Sequence, residues 1–502
     1  MSFYSSSFSQ NEVMTEYANT ITQEDLKDLL TIIASDAMEG RETGERGQKM
    51  AAAFIADHFQ RLGLEAVVPT GDGNSYFQKF NLERRSPGET YLDIEGDKLE
   101  NGLGTLYYGN YNSEKVINLT TVYAADGSEA AFETVDVEGK AVVMFNTAST
   151  SQKREIAQRA YTAGAEMVFI INAKSDDDWN SWINRFGKYY MRGSLGFASE
   201  EDENASKGIF FISPSVAAKL LNSSGGNLEA VNASVKANDY SGLAKVKKGK
   251  TTFFVKTNIE LVETENVLGY LEGSDKKDEL VVLTAHYDHI GRRGEKINNG
   301  ADDDGSGTSS ILEIAEAFVE AKKAGHGPRR SMLFMTVTGE EKGLLGSEYY
   351  TDHPIFPLEN TIVNLNIDMV GRTDEAHQDD REYIYLVGSD RLSSELHELS
   401  EKVNDTFTHL SVDYTYNDEK HPDRIYYRSD HWNFARKNVP IIFYFNGTHD
   451  DYHQPTDTVD KIEFDLLETR AQLVYYTAWV IANRDKRLVV DKLSDENIAG
   501  SH

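Results

Sequence analysis

The sequence predicts an α/β fold interrupted by a β-rich insert. From Asn266 onward, apolar strand-like runs alternate with helical patterns, and polar clusters stand just after the strands. Alternation of this kind argues for an open sheet covered by helices. Between about Tyr91 and Leu261 the texture changes to short β-like runs punctuated by Gly, Asn and Ser. Its scale suits a separate module rather than a long loop.

The elements follow in order. Thr22 and Asp25 form a capping pair ahead of Leu26, Leu29, Leu30 and Ile33, which share one helical face. A polar stretch, Ser35 to Gly44, leads to a second helix from about Glu45 to Leu62, stopped by Gly63. In the insert, Lys140–Phe145, Glu166–Ile171 and Gly208–Ser213 read as strands, with a helical pattern at Ile156–Ala163 between the first two. Beyond it, Leu280–Ala285, Met332–Val337, Thr361–Ile367, Tyr383–Val387 and Pro440–Phe445 read as strands. The helices expected there are Thr308–Ala324, Leu392–Asn404 and the closing Phe464–Arg484, with Ser306 as N-cap of the first. The Ser-rich start, residues 1–20, and residues 489–502 read as tails.

Composition narrows the function. The 502 residues carry 51 Lys+Arg against 82 Asp+Glu, a formal net charge of −31. No basic stripe offers phosphate contacts, so nucleic acid is an unsuitable partner, and an anionic membrane surface is disfavoured for the same reason. With no cysteine, disulfides, thiolate metal sites and cysteine nucleophiles are all excluded. The longest apolar run, Val439–Phe445, falls far short of the ~20 residues of a membrane span. Met1 to Thr20 carries no Lys or Arg, so no signal peptide is visible in this chain.

Five polar clusters hold the chemistry: Thr284-Ala-His286-Tyr-Asp288-His289, Asp302-Asp303-Asp304-Gly-Ser-Gly307, Gly339-Glu340-Glu341, Asn366-Ile-Asp368 and His449-Asp-Asp-Tyr452-His453. Open α/β sheets bind ligands at the carboxyl ends of their strands. Imidazole with carboxylate, and no thiolate, suits Zn²⁺ or a similar divalent ion. A single catalytic zinc uses about three protein ligands; a larger set suits two ions that share a carboxylate. Each cluster alone has a plainer reading, and Asp302–Asp304 before Gly-Ser-Gly could simply cap a helix. Order and placement together favour a metal centre.

These motifs resemble the co-catalytic zinc aminopeptidases of metallopeptidase family 28, many of which carry an inserted protease-associated (PA) domain. The resemblance rests on Ala285-His286-Tyr-Asp288, Asp302 to Gly307, Gly339-Glu340-Glu341, Ile367 to Gly371 and Tyr452-His453 in the family's order. Ser35 to Gly44 resembles the segment ahead of the insert, and Lys140–Phe145 with Ala160–Ala165 resembles the PA module. The fold it implies is a mixed-sheet zinc-exopeptidase domain with helices on both faces plus a β-rich PA domain. The implied division is a tail at 1–20, peptidase domain at 21–105 and 251–488, the insert at 106–250, and a tail at 489–502.

The resemblance further implies two Zn²⁺ per chain, other divalent metals being open. His286 and Asp368 would hold one, Glu341 and His453 the other, and Asp303 would bridge them. It implies a metal-bridging hydroxide as nucleophile, Glu340 as general base, Asp288 orienting a ligand imidazole, Tyr452 donating to the developing oxyanion, and Arg428 touching substrate. The expected partners are peptides with a free N-terminus, since a carboxylate-rich site welcomes an α-ammonium and repels a C-terminal carboxylate. A carboxypeptidase acting on acidic peptides would need a basic pocket, and only Lys420, Arg424 and Arg428 gather there. An inactive receptor-like binder should have lost ligands or the base, and this chain keeps them. The expected location is extracytoplasmic, periplasmic or secreted, with the cytoplasm left open; oligomeric state and the preferred N-terminal residue are not legible.

Overall fold

The structure, a computed structural model, describes residues 12–109, 111–146, 150–191, 193–198, 207–221, 225–418 and 420–492. The expectations for residues 1–11 and 493–502 lie outside these. Two compact units divide the chain: Met1–Asn81 with Glu263–His502, and Leu82–Val262. The resemblance implied an insert at 106–250, within the change of texture from about Tyr91 to Leu261. The contact boundary is wider because the strands Phe77–Ile94 and Gly249–Leu271 run unbroken through both boundaries.

The first unit is built on the C-terminal part of β1 (Gly249–Leu271), with β2 (Lys276–His286), β3 (Arg330–Val337), β4 (Thr361–Ile367), β5 (Tyr383–Val387), β6 (Ser411–Asp413) and β7 (Ile441–Phe445). They lie in the order β6-β5-β7-β4-β2-β3-β1. β2, β3, β4 and β7 are mutually parallel neighbours; β1 runs antiparallel to β3, and β5 antiparallel to β7. Parallel strands buried on both faces read as continuous apolar runs, which is why Leu280–Ala285 and Met332–Val337 are legible.

Successive strand residues point to opposite faces, and each face has its own core. Val281, Leu283, Phe334, Val363 and Leu365 pack with α1 (Gln23–Ile33), α2 (Arg46–Leu62), α3 (Gly307–Lys323) and α6 (Phe464–Asn483). Leu280, Val282, Leu333, Met335 and Phe443 pack with Tyr350 of α4 (Leu345–Asp352) and with Phe434 of a short helix, His431–Ala435. α5 (Ser394–Phe407) joins the first face through Leu396 and Val403.

Local chemistry sets the helix ends. Thr22 caps α1 by accepting from the Asp25 N–H, and Gly63 closes α2 at φ +88°. Two expectations need correction. Residues 12–18 are helical, with Met14, Tyr17 and Ala18 buried in the core, so the tail does not extend to residue 20; apolar side chains at helical spacing hold this turn in place. Ser306 makes no cap bond to α3; the Asp304 carboxylate accepts the Gly307 N–H instead, while the Ser306 hydroxyl donates to the Asp302 carbonyl.

The second unit has Ile117–Tyr123, Ala141–Phe145, Met167–Ile171 and Ile209–Ile212 as parallel strands in that order, edged by antiparallel Thr105–Tyr108. Helices Glu129–Thr134, Thr150–Thr162, Asp176–Met191 and Pro214–Leu220 stand between or after them. Two buried clusters fill this unit, one around Phe169, Phe210 and Phe253 and one around Val168, Trp179 and Phe211. No helix among the described residues is long and apolar enough to cross a membrane.

Candidate metal centre

Strand register assembles the site. His286 ends β2 opposite Val337, and Ile367 of β4 lies opposite Tyr444 of β7. Residues just beyond these positions therefore meet at one edge of the sheet: Asp288 and His289, Glu340 and Glu341, Asp368, and the loop reaching His453. Gly339, at φ +71°, makes the turn that delivers Glu340 and Glu341 side by side. The buried Asp302–Asp304 stretch enters from the start of α3.

Two histidines and three carboxylates converge there. His286 Nε2 lies 3.2 Å from Asp303 Oδ1 and 3.5 Å from Asp368 Oδ1. His453 Nε2 lies 3.1 Å from Asp303 Oδ2 and 3.1 Å from Glu341 Oε2. Asp303 thus turns one oxygen toward each histidine. Glu340 Oε2 stands 3.9 Å from His286 Nε2. Donor atoms around one tetrahedral zinc, with bonds of ~2.0–2.1 Å, are about 3.3 Å apart, and both groupings approach that spacing. His286 Nε2, Asp303 Oδ2 and Glu341 Oε1 are buried without a well-directed hydrogen bond. Such orphans are costly in a folded core, and lone pairs aimed at one another suit a cation. The donor set and its spacing fit two divalent ions sharing Asp303.

Electrostatics point the same way. Burial opposes ionisation of Asp303, yet His289, His286 and His453 hold its carboxyl well below the usual range. Burial and Asp303 oppose ionisation of Glu341, but His289 and His453 bring it down to about 2. Burial works against protonation of His453, whose bonds to Asp303 and Glu341 raise it to about 10. Protons on imidazole neutralise the carboxylates here, a role that a bound cation takes over with proton release. Glu340 is pushed well above the ordinary carboxyl value by burial, against the pull of His286 and with Asp368, Glu341 and Asp430 adding to the rise.

A second layer of polar groups fixes these residues. Arg41 is fully buried and donates to the carbonyls of Tyr287 (2.7 Å), Ile33 (2.8 Å), Asn299 (2.7 Å) and Gly300 (2.9 Å), tying the ends of the two ligand loops together. Asp457 accepts the N–H groups of Asp302 and Asp303. Ser429 donates to Asp368 Oδ2 at 2.7 Å. Asp304 is occupied by the N–H groups of His286, Gly307 and Met369, so its carboxylate braces backbone although it lies among the His286 and Asp368 donors.

The remaining expected residues fall as follows. It is the Asp288 carbonyl that lies 3.0 Å from His286 Nδ1; its carboxylate is 3.9 Å away. That carboxylate accepts from Thr43 and from the Glu340 N–H, so it holds the turn beneath Glu340. Tyr452 stacks on the His453 ring with centroids 3.9 Å apart. Burial, with Asp303, Glu341 and Glu340, pushes its phenol up, so it stays protonated. Arg428 is exposed and lines one cavity with Asp303, Glu340, Asp368, Phe443 and Tyr452.

Two residues escaped the sequence reading. His289 is fully buried, 2.7 Å from Glu341 Oε1 and 3.8 Å from Asp303 Oδ2; the only sequence signal was a second histidine in the first cluster. Arg41 stood in the polar segment singled out at Ser35–Gly44, but its four acceptors are scattered along the chain.

A mixed sheet with a parallel centre and convergent imidazole and carboxylate donors at its strand ends defines the class: an α/β enzyme whose site suits a divalent cation. Residues 266–478, about two-fifths of the chain, match the profile of peptidase family M28. Aminopeptidase YwaD of Bacillus subtilis is 23% identical over 465 residues, 90% of this chain and 84% of that protein. A probable leucine aminopeptidase of Arthroderma otae is 30% identical over 215 residues, 41% of this chain and 55% of that protein, so the chain spans about half the length of this fungal relative. Among solved structures, an aminopeptidase from Aneurinibacillus sp. strain AM-1 aligns with a TM-score of 0.59 at 20% identity, covering 96% of this chain and 98% of that one. A zinc aminopeptidase from Bacillus subtilis aligns with a TM-score of 0.55 at 21% identity, covering 95% and 98%. At such identities these structures speak to the fold.

Proposed function

We propose that this peptidase is a di-zinc aminopeptidase that hydrolyses the N-terminal residue from peptides. The observation that carries it is Asp303 placed between two histidine–carboxylate pairs, with Glu340 on the wall of the same cavity. His286 and Asp368 would hold one ion, Glu341 and His453 the other, and Asp303 both. The printed names of the Bacillus relatives, an aminopeptidase and a zinc aminopeptidase, support the reading.

Zinc, when bound, lowers the pKa of a coordinated water toward ~7 and polarises a carbonyl oxygen. This chain's side chains do the rest. The Glu340 carboxylate accepts a proton from the attacking water and returns it to the departing amine. The Tyr452 phenol, kept protonated, donates to the carbonyl oxygen as charge develops. Surplus carboxylate charge binds the substrate's α-ammonium, and Arg428 contacts the peptide from the rim. The Leu82–Val262 unit we take as a PA-type insert, a reading supported by its place in the chain.

The test is hydrolysis of aminoacyl chromogenic amides with free and acetylated amines, before and after chelation. The expected result is turnover of the free-amine substrates only, lost on metal removal and restored by zinc. Full activity in metal-stripped protein overturns the proposal, and equal turnover of acetylated substrates overturns the aminopeptidase reading.

A further inference from the structure

We infer that His289 is a positioning residue that fixes the Glu341 carboxylate, so that one oxygen is held by imidazole and the other is left for the second zinc. The inference rests on the two-zinc reading above. Glu341 divides its oxygens: Oε1 lies 2.7 Å from His289 Nδ1, and Oε2 lies 3.1 Å from His453 Nε2. The two distances separate the roles of the histidines. Two donors on one tetrahedral zinc stand about 3.3 Å apart, near the His453 spacing and well beyond the His289 contact. A separation of 2.7 Å is a hydrogen-bond length for charged partners. His289 Nδ1 is 3.8 Å from Asp303 Oδ2, so of the two carboxylates it lies nearer Glu341.

His289 stands in one donor cluster with Asp303 and Glu341, and within it the 2.7 Å contact with Glu341 is its short one. The ring is fully buried, and neither nitrogen has a well-directed hydrogen-bond partner. Its contact with Oε1 is short, 2.7 Å, and off the ideal direction. The backbone fixes where the ring sits. The His289 N–H donates to the Arg41 carbonyl at 3.1 Å. Gly300 lies flush against the ring, where a Cβ would approach its carbons to 2.7 Å. Ligating carboxylates work best when the oxygen away from the metal is itself hydrogen-bonded, and loss of such a partner costs ~10–100-fold in metal affinity.

The experiment is stepwise zinc titration of the full chain against a chromophoric competing chelator, for wild type, His289→Ala, His289→Asn and His289→Gln. Thermal melts of the metal-free proteins confirm that each variant is folded. Asparagine can place its amide nitrogen where Nδ1 stands, whereas glutamine reaches toward Nε2. In His289→Ala the second binding step should weaken about 10–100-fold with the first unchanged. His289→Asn should restore that step, and His289→Gln should resemble alanine. Wild-type affinity for both ions in His289→Ala overturns the proposal, as does an asparagine variant as weak as alanine. Uptake of one zinc by the wild type overturns the two-zinc reading itself, and the proposal with it.

Discussion

In the Leu82–Val262 unit the strands Ala141–Phe145, Met167–Ile171 and Ile209–Ile212 run parallel, as β2, β3 and β4 do in the peptidase unit, and they too are followed by polar residues. The fate of those residues differs. Ser213 accepts the Val216 N–H, Ser175 accepts the Asp178 N–H, and Asp126 accepts from Ser128, so these groups are consumed by local backbone. Asn172 leaves a buried amide unpartnered, but a lone neutral amide makes no site. In the peptidase unit the strand-end groups face one another. Buried Asp, Glu, His, Lys and Arg side chains show the same contrast: among the described residues of the second unit Lys153 stands alone, while the peptidase unit buries Arg41, His286, Asp303, Glu313, Arg330, Asp430 and others. Groups able to hold a metal occur, among the described residues, in the peptidase unit. A parallel sheet supplies the location, and function follows only where polar atoms are left without local partners.

The largest effect should come from Glu340→Gln. The amide keeps the shape but cannot accept the proton of water, so kcat should fall about 10²–10⁴-fold while zinc content stays at the wild-type value. Metal analysis beside steady-state kinetics separates this from ligand loss. Undiminished kcat in the Gln variant would assign the base to another residue and remove Glu340 from the contrast between the units.

The uneven legibility of the two units has a physical cause. Helix and strand positions followed from apolar periodicity: Thr361–Ile367 and Tyr383–Val387 match the structure residue for residue. At least three of the five clusters were legible because they follow an apolar run, as His286, Glu340 and Asp368 do. His289 was hidden inside one of those clusters, since only the fold shows that it faces Glu341 rather than solvent. Arg41 was hidden differently, because an arginine bonding to scattered carbonyls leaves no local pattern. Asp304 is the intermediate case. Its plain reading as a helix cap is what its Gly307 contact shows, one residue along from Asp303, which turns its oxygens toward two histidines.

The second effect concerns the scaffold of the peptidase unit. Glu313 on α3 is 4% exposed, and burial, with Glu316 and Asp25 adding, raises its pKa from 4.5 to about 8. The folded state therefore holds a proton between pH 4.5 and about 8 that the unfolded state has released. Stability falls as pH rises through that window, because the unfolded state binds fewer protons there. Glu313→Gln mimics the protonated form and removes the dependence. The variant should match wild type near pH 4.5 and exceed it at pH 8 by a few kcal/mol, on the order of 1.4 per pH unit crossed. Paired denaturant curves at the two pH values measure this; a stability difference that does not change with pH would show that Glu313 is ionised in the fold.

The smallest effect tests the other side of the comparison. Ser213 ends a strand of the insert and caps the helix Pro214–Leu220, accepting the Val216 N–H at 3.3 Å. If its polar atoms are fully used by that cap, Ser213→Ala should cost about 1 kcal/mol locally and leave kcat/KM alone. Hydrogen exchange over residues 209–221 is the suitable readout, because it reports local opening rather than global unfolding. Protection should drop about fivefold there, the equivalent of ~1 kcal/mol, with the peptidase unit unaffected. A fall in kcat/KM at unchanged zinc content would show that a strand end of the insert contributes to turnover, and the division between a chemical unit and a structural one would have to be redrawn.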